Sequence, residues 1–361
     1  MNNKIRILIA EDSKVITELL HAILSAEPDF DIVACVGNGQ EAVEQTKKLK
    51  PDLITMDIKM PVMDGLEATR IIMSEFPTPI VVISGHANKN EVNTTFDALN
   101  AGALTLIEKP KDILSAGFET DKRILLNTLR ALSSVHVIRR KKIQAKPAIE
   151  KFVYPRPTNT ARIAALGLST GGPEVLNYIL SNLNATISAP MVVVQHITNG
   201  FLPGLVSWLS SKSTLPLHIA ENKQLLQKGH VYFAPNDRHL TIKQGLSGPV
   251  AVLEDSDAFA GFKPSVTKLF LSIAETYPNK AIAGLLTGMG CDGADGLLAI
   301  KKAGSYTFIQ DKESSIVFGM PGSAQLLQAE CDTIQLNAIP TFLNNTLKKG
   351  ENNEEENTGS R

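Results

Sequence analysis

Three cysteines, Cys35, Cys291 and Cys331, stand far apart in 361 residues. An odd, dispersed set makes no disulfide framework and no metal-ligand spacing, and it suits a reducing compartment. Charge of one sign is also missing. Lys and Arg number 36 against 37 Asp and Glu, a formal net charge of -1, so no global basic field draws the chain to nucleic acid or anionic lipid. No run approaches the ~18 apolar residues of a membrane span. Met1-Asn2-Asn3-Lys4 leads straight into an apolar-rich strand with acidic residues behind it, too short and too acidic a start for a signal peptide. The expectation is a cytoplasmic protein with no nucleic acid partner and no direct membrane insertion. What is present is 43% hydrophobic and 20% charged residues, a globular composition, over a length that favours two domains.

Residues 1–125 alternate segments of strand and helix length. Apolar runs at residues 5–10, 32–36, 53–56, 80–83 and 103–107 read as buried strands, and Ile16, Leu19, Leu20, Ile23 and Leu24 recur at helical spacing. This order predicts a parallel, doubly wound sheet, with function at the carboxyl ends of its strands. At successive ends stand Glu11 and Asp12, then Asp57, then Ser84, then Lys109 before Pro110. Three converging carboxylates repel one another, and a hard divalent cation such as Mg²⁺ relieves that cost through oxygen ligands. Lys109 supplies a point charge for a phosphoryl oxygen and Ser84 a hydroxyl. Acidic strand ends are often plain helix caps, but five such residues at successive ends exceed that reading.

Glu11-Asp12, Met56-Asp57-Ile58-Lys59-Met60-Pro61-Val62-Met63-Asp64-Gly65, Ser84 and Lys109-Pro110 resemble the receiver domain of two-component response regulators. The resemblance implies that Asp57 is phosphorylated by a histidine kinase with Mg²⁺ bound by Glu11, Asp12 and Asp57, and that Ser84 and Lys109 respond to the phosphoryl group. The family often carries an aromatic three places before the lysine, where this chain has Leu106.

Residues 126–160 change character. A helical face continues through Leu129 and Leu132, then Arg139-Arg140-Lys141-Lys142 and Pro147, Pro155 and Pro157 read as a solvated linker. Residues 349–361 form a polar, glutamate-rich tail that is expected to be disordered.

Alternation resumes over residues 161–348. The stretch Ile163 to Leu168 is an apolar run, Ser169 follows it, and Gly171-Gly172-Pro173 open a helical pattern. A sharp strand-to-helix turn lifts a serine hydroxyl clear of the sheet and aims free amides of the new helix at its target. Such a turn also serves as a plain connection or a phosphate cradle, although the Gly-x-Gly-x-x-Gly spacing of a dinucleotide site is missing. The run at 191–195 ends at His196, and the run at 281–286 ends in Thr287-Gly288-Met289-Gly290-Cys291-Asp292-Gly293. A serine needs a base, and the base needs an acid to orient it. Ser169, His196 and Asp292 are candidates, with Asp295 and Asp311 as rival acids and His218, His230 and His239 as rival bases. Cys291 reads as a loop residue with no dedicated base.

Gly167-Leu168-Ser169-Thr170-Gly171-Gly172-Pro173, Val193-Val194-Gln195-His196, Ala234-Pro235-Asn236-Asp237-Arg238-His239, Pro264-Ser265-Val266, Leu286-Thr287-Gly288-Met289-Gly290-Cys291-Asp292-Gly293 and Val317-Phe318-Gly319-Met320-Pro321 look like the catalytic domain of chemotaxis protein-glutamate methylesterases, the CheB family. The resemblance implies a phosphorylation-activated hydrolase of glutamyl γ-methyl esters on chemoreceptor cytoplasmic helices, with glutamine deamidation by the same chemistry. It assigns Ser169 as nucleophile, His196 as base, Asp292 as orienting acid, and backbone N–H groups of Thr170 and Met289 as the oxyanion hole. It implies methyl-accepting chemotaxis receptors and a chemotaxis histidine kinase as partners, with no cofactor for the esterase step. The competing readings are a catalytically silent, receptor-binding adaptor and a receiver with a DNA-binding output, for which residues 161–348 show no small basic helical module.

Overall fold

The computed structural model describes residues 4–85, 96–99, 101–110, 118–133, 135 and 161–347. Two doubly wound parallel sheets form it, as the apolar runs predict. Strands buried on both faces read as continuous apolar stretches because neither side meets water. In β1 (Ile5–Ala10), Ile7 and Ile9 enter one apolar cluster while Leu8 and Ala10 enter another.

The first sheet adds β2 (Phe30–Val36), β3 (Leu53–Met56), β4 (Ile80–Ser84) and β5 (Thr105–Glu108), in the order β2-β1-β3-β4-β5 with every pairing parallel. Helices Lys14–Ser25 and Phe118–Ser133 cover the Ile7/Ile9 face through Leu20, Leu24, Leu125 and Leu129. Helices Gly39–Leu49 and Gly65–Glu75 cover the other face through Ala42, Ala68 and Ile72. Asn38 and Asp64 cap those two helices by accepting the N–H groups of Glu41 and Glu67, which satisfies amides the helix itself leaves unpaired.

The helix Phe118–Ser133 runs past the expected domain edge at residue 125. Leu126, Leu129 and Leu132 are buried in the first core, because the apolar repeat continues at helical spacing. The first core therefore takes in residues assigned above to the linker. The remaining linker, residues 136–160, and the tail, residues 349–361, lie outside the described residues.

The second sheet is built from β6 (Ile163–Leu168), β7 (Met191–Gln195), β8 (Leu217–Ile219), β9 (Val231–Phe233), β12 (Ala281–Leu285), β13 (Tyr306–Gln310) and β14 (Asp332–Ile334). Its order is β14-β13-β12-β6-β7-β9-β8, all parallel. β10 (His239–Gln244) and β11 (Pro249–Glu254) stand apart as an antiparallel pair. Helices Gly172–Ser181, Leu202–Ser210 and Ile339–Thr346 cover one face, and Val266–Thr276, Ala294–Lys302 and Met320–Leu326 the other. Among the described residues, no helix is long and apolar enough to cross a membrane.

Candidate active site

The strand order changes direction between β1 and β3 in the first sheet and between β6 and β12 in the second. Such a reversal leaves a crevice outside the carboxyl ends of the two strands. Both sets of candidate residues lie at these crevices.

In the first domain, Glu11 and Asp12 follow β1 and Asp57 follows β3. One carboxylate oxygen from each lies within 4.8 Å of the others. Glu11 is 3% exposed and Asp57 6%. Burial pushes the Asp57 carboxyl above its usual range, against the opposing pull of Lys109. Burial does the same to Glu11, again opposed by Lys109 and reinforced by Asp57. The Lys109 ammonium bridges the pair, donating to Glu11 Oε1 and Asp57 Oδ2 at 2.9 Å each. It also stands 2.8 Å from Glu11 Oε2, an ion-pair contact without the alignment of a directed hydrogen bond. Asp57 Oδ1 accepts the Ile58 N–H. Three converging acids, two of them buried at a cost to ionisation, form an all-oxygen donor set that fits a hard divalent cation. Ser84, 6% exposed, ends β4, and its carbonyl accepts the Lys109 N–H. Leu106 is buried in β5.

In the second domain, register brings the candidates together. Leu168 pairs with Gln195 across β6 and β7, and Ser169 and His196 are the next residues on each strand. On the other side Leu285 pairs with Gly167, which brings the loop after β12 beside the serine, and Ser169 N–H donates to the Thr287 carbonyl. Gly171, at φ 80, makes the turn into helix Gly172–Ser181, a conformation costly for any residue with a Cβ. Gly167 serves differently. A Cβ there would meet Val266 Cγ1 at 2.3 Å, so glycine lets the N-terminus of helix Val266–Thr276 close on the sheet.

That helix N-terminus anchors Asp292, which is 3% exposed. Asp292 Oδ1 accepts the Ser265 hydroxyl at 2.8 Å and the Thr267 N–H at 3.0 Å, and Oδ2 accepts the Val266 N–H at 2.7 Å. Burial raises its proton affinity, but the His196 contact and the Thr267 hydrogen bonds outweigh this and lower its pKa to about 2. The amides at the positive end of the helix favour the ionised form. His196 Nε2 lies 3.0 Å from Asp292 Oδ2. The ring nitrogen and the carboxylate oxygen are in contact without the alignment of a directed hydrogen bond. The other ring nitrogen, Nδ1, is buried without a hydrogen-bond partner. Phe262 stacks on the imidazole at 4.8 Å and 8°. Among the described residues, the N–H groups of Thr170 and Met289 donate no backbone hydrogen bond outside helices and strands.

The rivals occupy other roles. His239 has both ring nitrogens engaged, Nδ1 with the Ser265 N–H and Nε2 with the Asp257 carbonyl, so it shapes the loop that leads to the Asp292 anchor. His218 and His230 pair with each other at 2.9 Å beside β8 and β9. Asp295 is exposed in the first turn of helix Ala294–Lys302, and Asp311 bonds Ser314. Cys291 is exposed.

Two buried residues that sequence reasoning passed over also converge here. Gln195 donates to the carbonyls of Ser169 and His196, both at 2.8 Å. Thr287 donates its hydroxyl to the Thr170 carbonyl at 2.9 Å and accepts the Val317 N–H at 3.0 Å. Their only sequence signal was membership in the motifs around His196 and Asp292. The two domains touch, and one contact lies beside the Ser169 turn. Phe96 of the first stacks on Trp208 of the second at 5.5 Å. Ile316 and Val317 pack against the first domain's cluster that includes Ile107 and Phe118, and Ile316 borders Gly171.

Comparison with known proteins matches the two parts of the chain to two families. Residues 7–115 match the response regulator receiver domain and residues 164–343 the CheB methylesterase family. A protein-glutamate methylesterase/protein-glutamine glutaminase of Nitrosospira multiformis is 42% identical over 352 residues, 96% of this chain and 98% of that protein. One from Syntrophus aciditrophicus is 42% identical over 325 residues, 89% of this chain and 92% of that protein. The crystal structure of the Thermotoga maritima CheB methylesterase catalytic domain matches at 37% identity with a TM-score of 0.50, covering 52% of this chain and 99% of that one. With a receiver domain ahead of a methylesterase domain, and this identity along nearly its whole length, the chain belongs to the CheB family of protein-glutamate methylesterases/protein-glutamine glutaminases.

Proposed function

We propose that this chain hydrolyses glutamyl γ-methyl esters on the cytoplasmic helices of chemoreceptors, and deamidates receptor glutamines, under the control of Asp57 phosphorylation. The observation that carries the reading is the convergence of Ser169, His196 and Asp292 at one switch point, in a chain whose relatives are named for both activities. Ser169 Oγ attacks the ester carbonyl while its proton passes to the unpartnered Nδ1 of His196. Hydrogen bonds to a catalytic base are often loose without substrate and tighten in the complex. Asp292, ionised throughout the working pH range by its depressed pKa, stabilises the imidazolium from the Nε2 side. The tetrahedral oxyanion takes the N–H groups of Thr170 and Met289. Collapse expels methoxide, protonated by His196 to methanol. Water then attacks the acyl-enzyme with His196 as base, which frees the glutamate carboxylate and regenerates Ser169. With a glutamine substrate the leaving group is ammonia and the remaining steps are the same.

Glu11, Asp12 and Asp57 would hold Mg²⁺, which supplies positive charge for the incoming phosphoryl oxygens when bound. Asp57 is the acceptor, Lys109 meets the phosphoryl charge, and Ser84 turns toward it. The first domain restrains the second in the unphosphorylated state. The Phe96–Trp208 stack and the Ile316 contact, which reaches the Ser169 turn, support this control.

Methanol release from a methylated receptor fragment tests the activity directly. Ser169→Ala should lower it by several orders of magnitude in a folded protein. Near-normal release from that variant would remove Ser169 from the role. A silent adaptor would release no methanol and take no label from a serine-directed fluorophosphonate.

A further inference from the structure

We infer that Gln195 is a positioning residue that aims the Thr170 oxyanion donor and fixes it relative to the catalytic base. The inference rests on the hydrolase reading above. Gln195 ends β7 and is 2% exposed. Its Nε2 spends both protons on the active-site backbone, one on the Ser169 carbonyl and one on the His196 carbonyl, each at 2.8 Å. The Ser169 carbonyl is gripped a second time by the Gly172 N–H at 2.9 Å.

That carbonyl belongs to the same peptide unit as the Thr170 N–H. The unit is planar and trans, so the C=O and N–H point in opposite directions. Two donors holding the Ser169 oxygen on one side therefore fix where the Thr170 N–H points on the other. An oxyanion donor accelerates the reaction only if it is already aimed at the charge that develops in the transition state. The second bond of Gln195 ties the backbone of His196 to the same anchor. Base and oxyanion donor thus share one rigid reference, though neither touches Gln195 through its reacting atoms.

Gly172 completes the arrangement. A Cβ on Gly172 would fall 1.9 Å from Gln195 Oε1, so the glycine makes room for the amide. Oε1 itself is buried with no hydrogen-bond partner. The polar side chain thus leaves one buried acceptor unpaired, at a cost to stability, in a position where its two donors are both used. An apolar residue of similar length would fill β7 without that cost, which argues that the donors are what the position requires.

The test uses the full-length protein and two substitutions. Gln195→Met keeps length and removes the donors. Gly172→Ala adds a methyl that displaces the amide, while helix propensity alone would favour it. Both should lower kcat for methyl ester hydrolysis roughly 10- to 100-fold, part of the loss expected for deleting an oxyanion donor, with KM little changed. A small alkyl boronic acid, which forms a tetrahedral adduct on the serine, should lose affinity by a similar factor. Phosphorylation of Asp57 and cooperative unfolding serve as folding controls. Should Gln195→Met fail to fold, Gly172→Ala carries the measurement. Unchanged kcat and boronate affinity in a folded variant overturns the inference while the hydrolase reading stands. A fall in kcat with boronate affinity intact also overturns it, because the defect then lies outside the oxyanion site. A wild-type protein that releases no methanol and takes no serine label overturns the hydrolase reading, and this inference with it.

Discussion

Replacing Asp292 with asparagine probes the stability and the chemistry of the site in one experiment. Asparagine keeps the shape of the carboxylate but turns one oxygen into an NH₂ group. With the nitrogen at Oδ2, it faces the Val266 N–H and His196 Nε2; at Oδ1, it faces the Thr267 N–H. The Ser265 hydroxyl, which accepts the Lys268 N–H, keeps a second lone pair that could take the amide, but the Thr267 N–H would still face a donor. Both orientations therefore set donor against donor in a buried site. The pKa of Asp292 is lowered from 3.8 to about 2, so the fold favours the charged form by about 2 kcal/mol. Loss of that preference together with an unsatisfied amide gives an expected destabilisation of roughly 3–5 kcal/mol.

The sign of the pH dependence follows from the direction of the shift. A depressed folded-state pKa contributes stability that is complete above the unfolded value and lost as pH falls through the folded one. The stability gap between wild type and Asp292→Asn should stay constant down to about pH 5 and narrow by about 2 kcal/mol as pH falls from about 4 through 2. Urea unfolding followed by the fluorescence of Trp208, the single tryptophan, reports on the second domain and on its contact with Phe96. Turnover should fall about 10⁴-fold, as when the orienting acid of a serine protease is amidated. A variant as stable as wild type at neutral pH, or a gap that ignores acid, would refute the anchoring argument even if activity were lost.

Asp57→Asn should abolish labelling by a small phosphodonor and should raise the thermal stability of the first domain at neutral pH. Burial holds the Asp57 pKa above its usual value, so stability is lost as pH rises through that range and a neutral side chain avoids the loss; calorimetry with and without Mg²⁺ checks it, and a variant less stable than wild type would contradict the sign. Phe96→Leu removes the stack on Trp208 while keeping an apolar side chain. At about 0.5–1.5 kcal/mol for an aromatic pair, the open fraction and the unphosphorylated esterase rate should rise roughly 2- to 13-fold, and an unchanged rate would show that this contact does not restrain the enzyme. Asp295→Asn and Cys291→Ala should both leave turnover within about twofold, since exposed substitutions away from the chemistry are usually mild; a severe Asp295→Asn defect would mean that the wrong acid has been assigned.

The order of strands and helices was legible because parallel strands buried on both faces leave unbroken apolar runs, and because chemistry in such sheets collects where those runs stop. Shorter features left no such trace. β8 and β14 each span three residues at the two sheet edges, too few to show a period, and β13 mixes Tyr306, Thr307 and Gln310 into its run. Residue types alone also could not separate the acid that reaches His196 from its rivals. Asp292 and Asp295 sit three positions apart in one loop, yet the first precedes the helix and turns inward onto the amides of Val266 and Thr267, while the second opens the helix and faces solvent. Those amides come from a segment 25 to 26 residues earlier in the chain, a relation that spacing within a motif does not encode. Gln195 was overlooked for a related reason. A polar residue after four apolar ones reads as the point where a strand reaches water, yet here it is 2% exposed and its amide is consumed by two backbone carbonyls. The backbone of an active site is thus held by side chains whose importance depends on what they reach, and that information lies in the packing of β6, β7 and β12 rather than in any one of them.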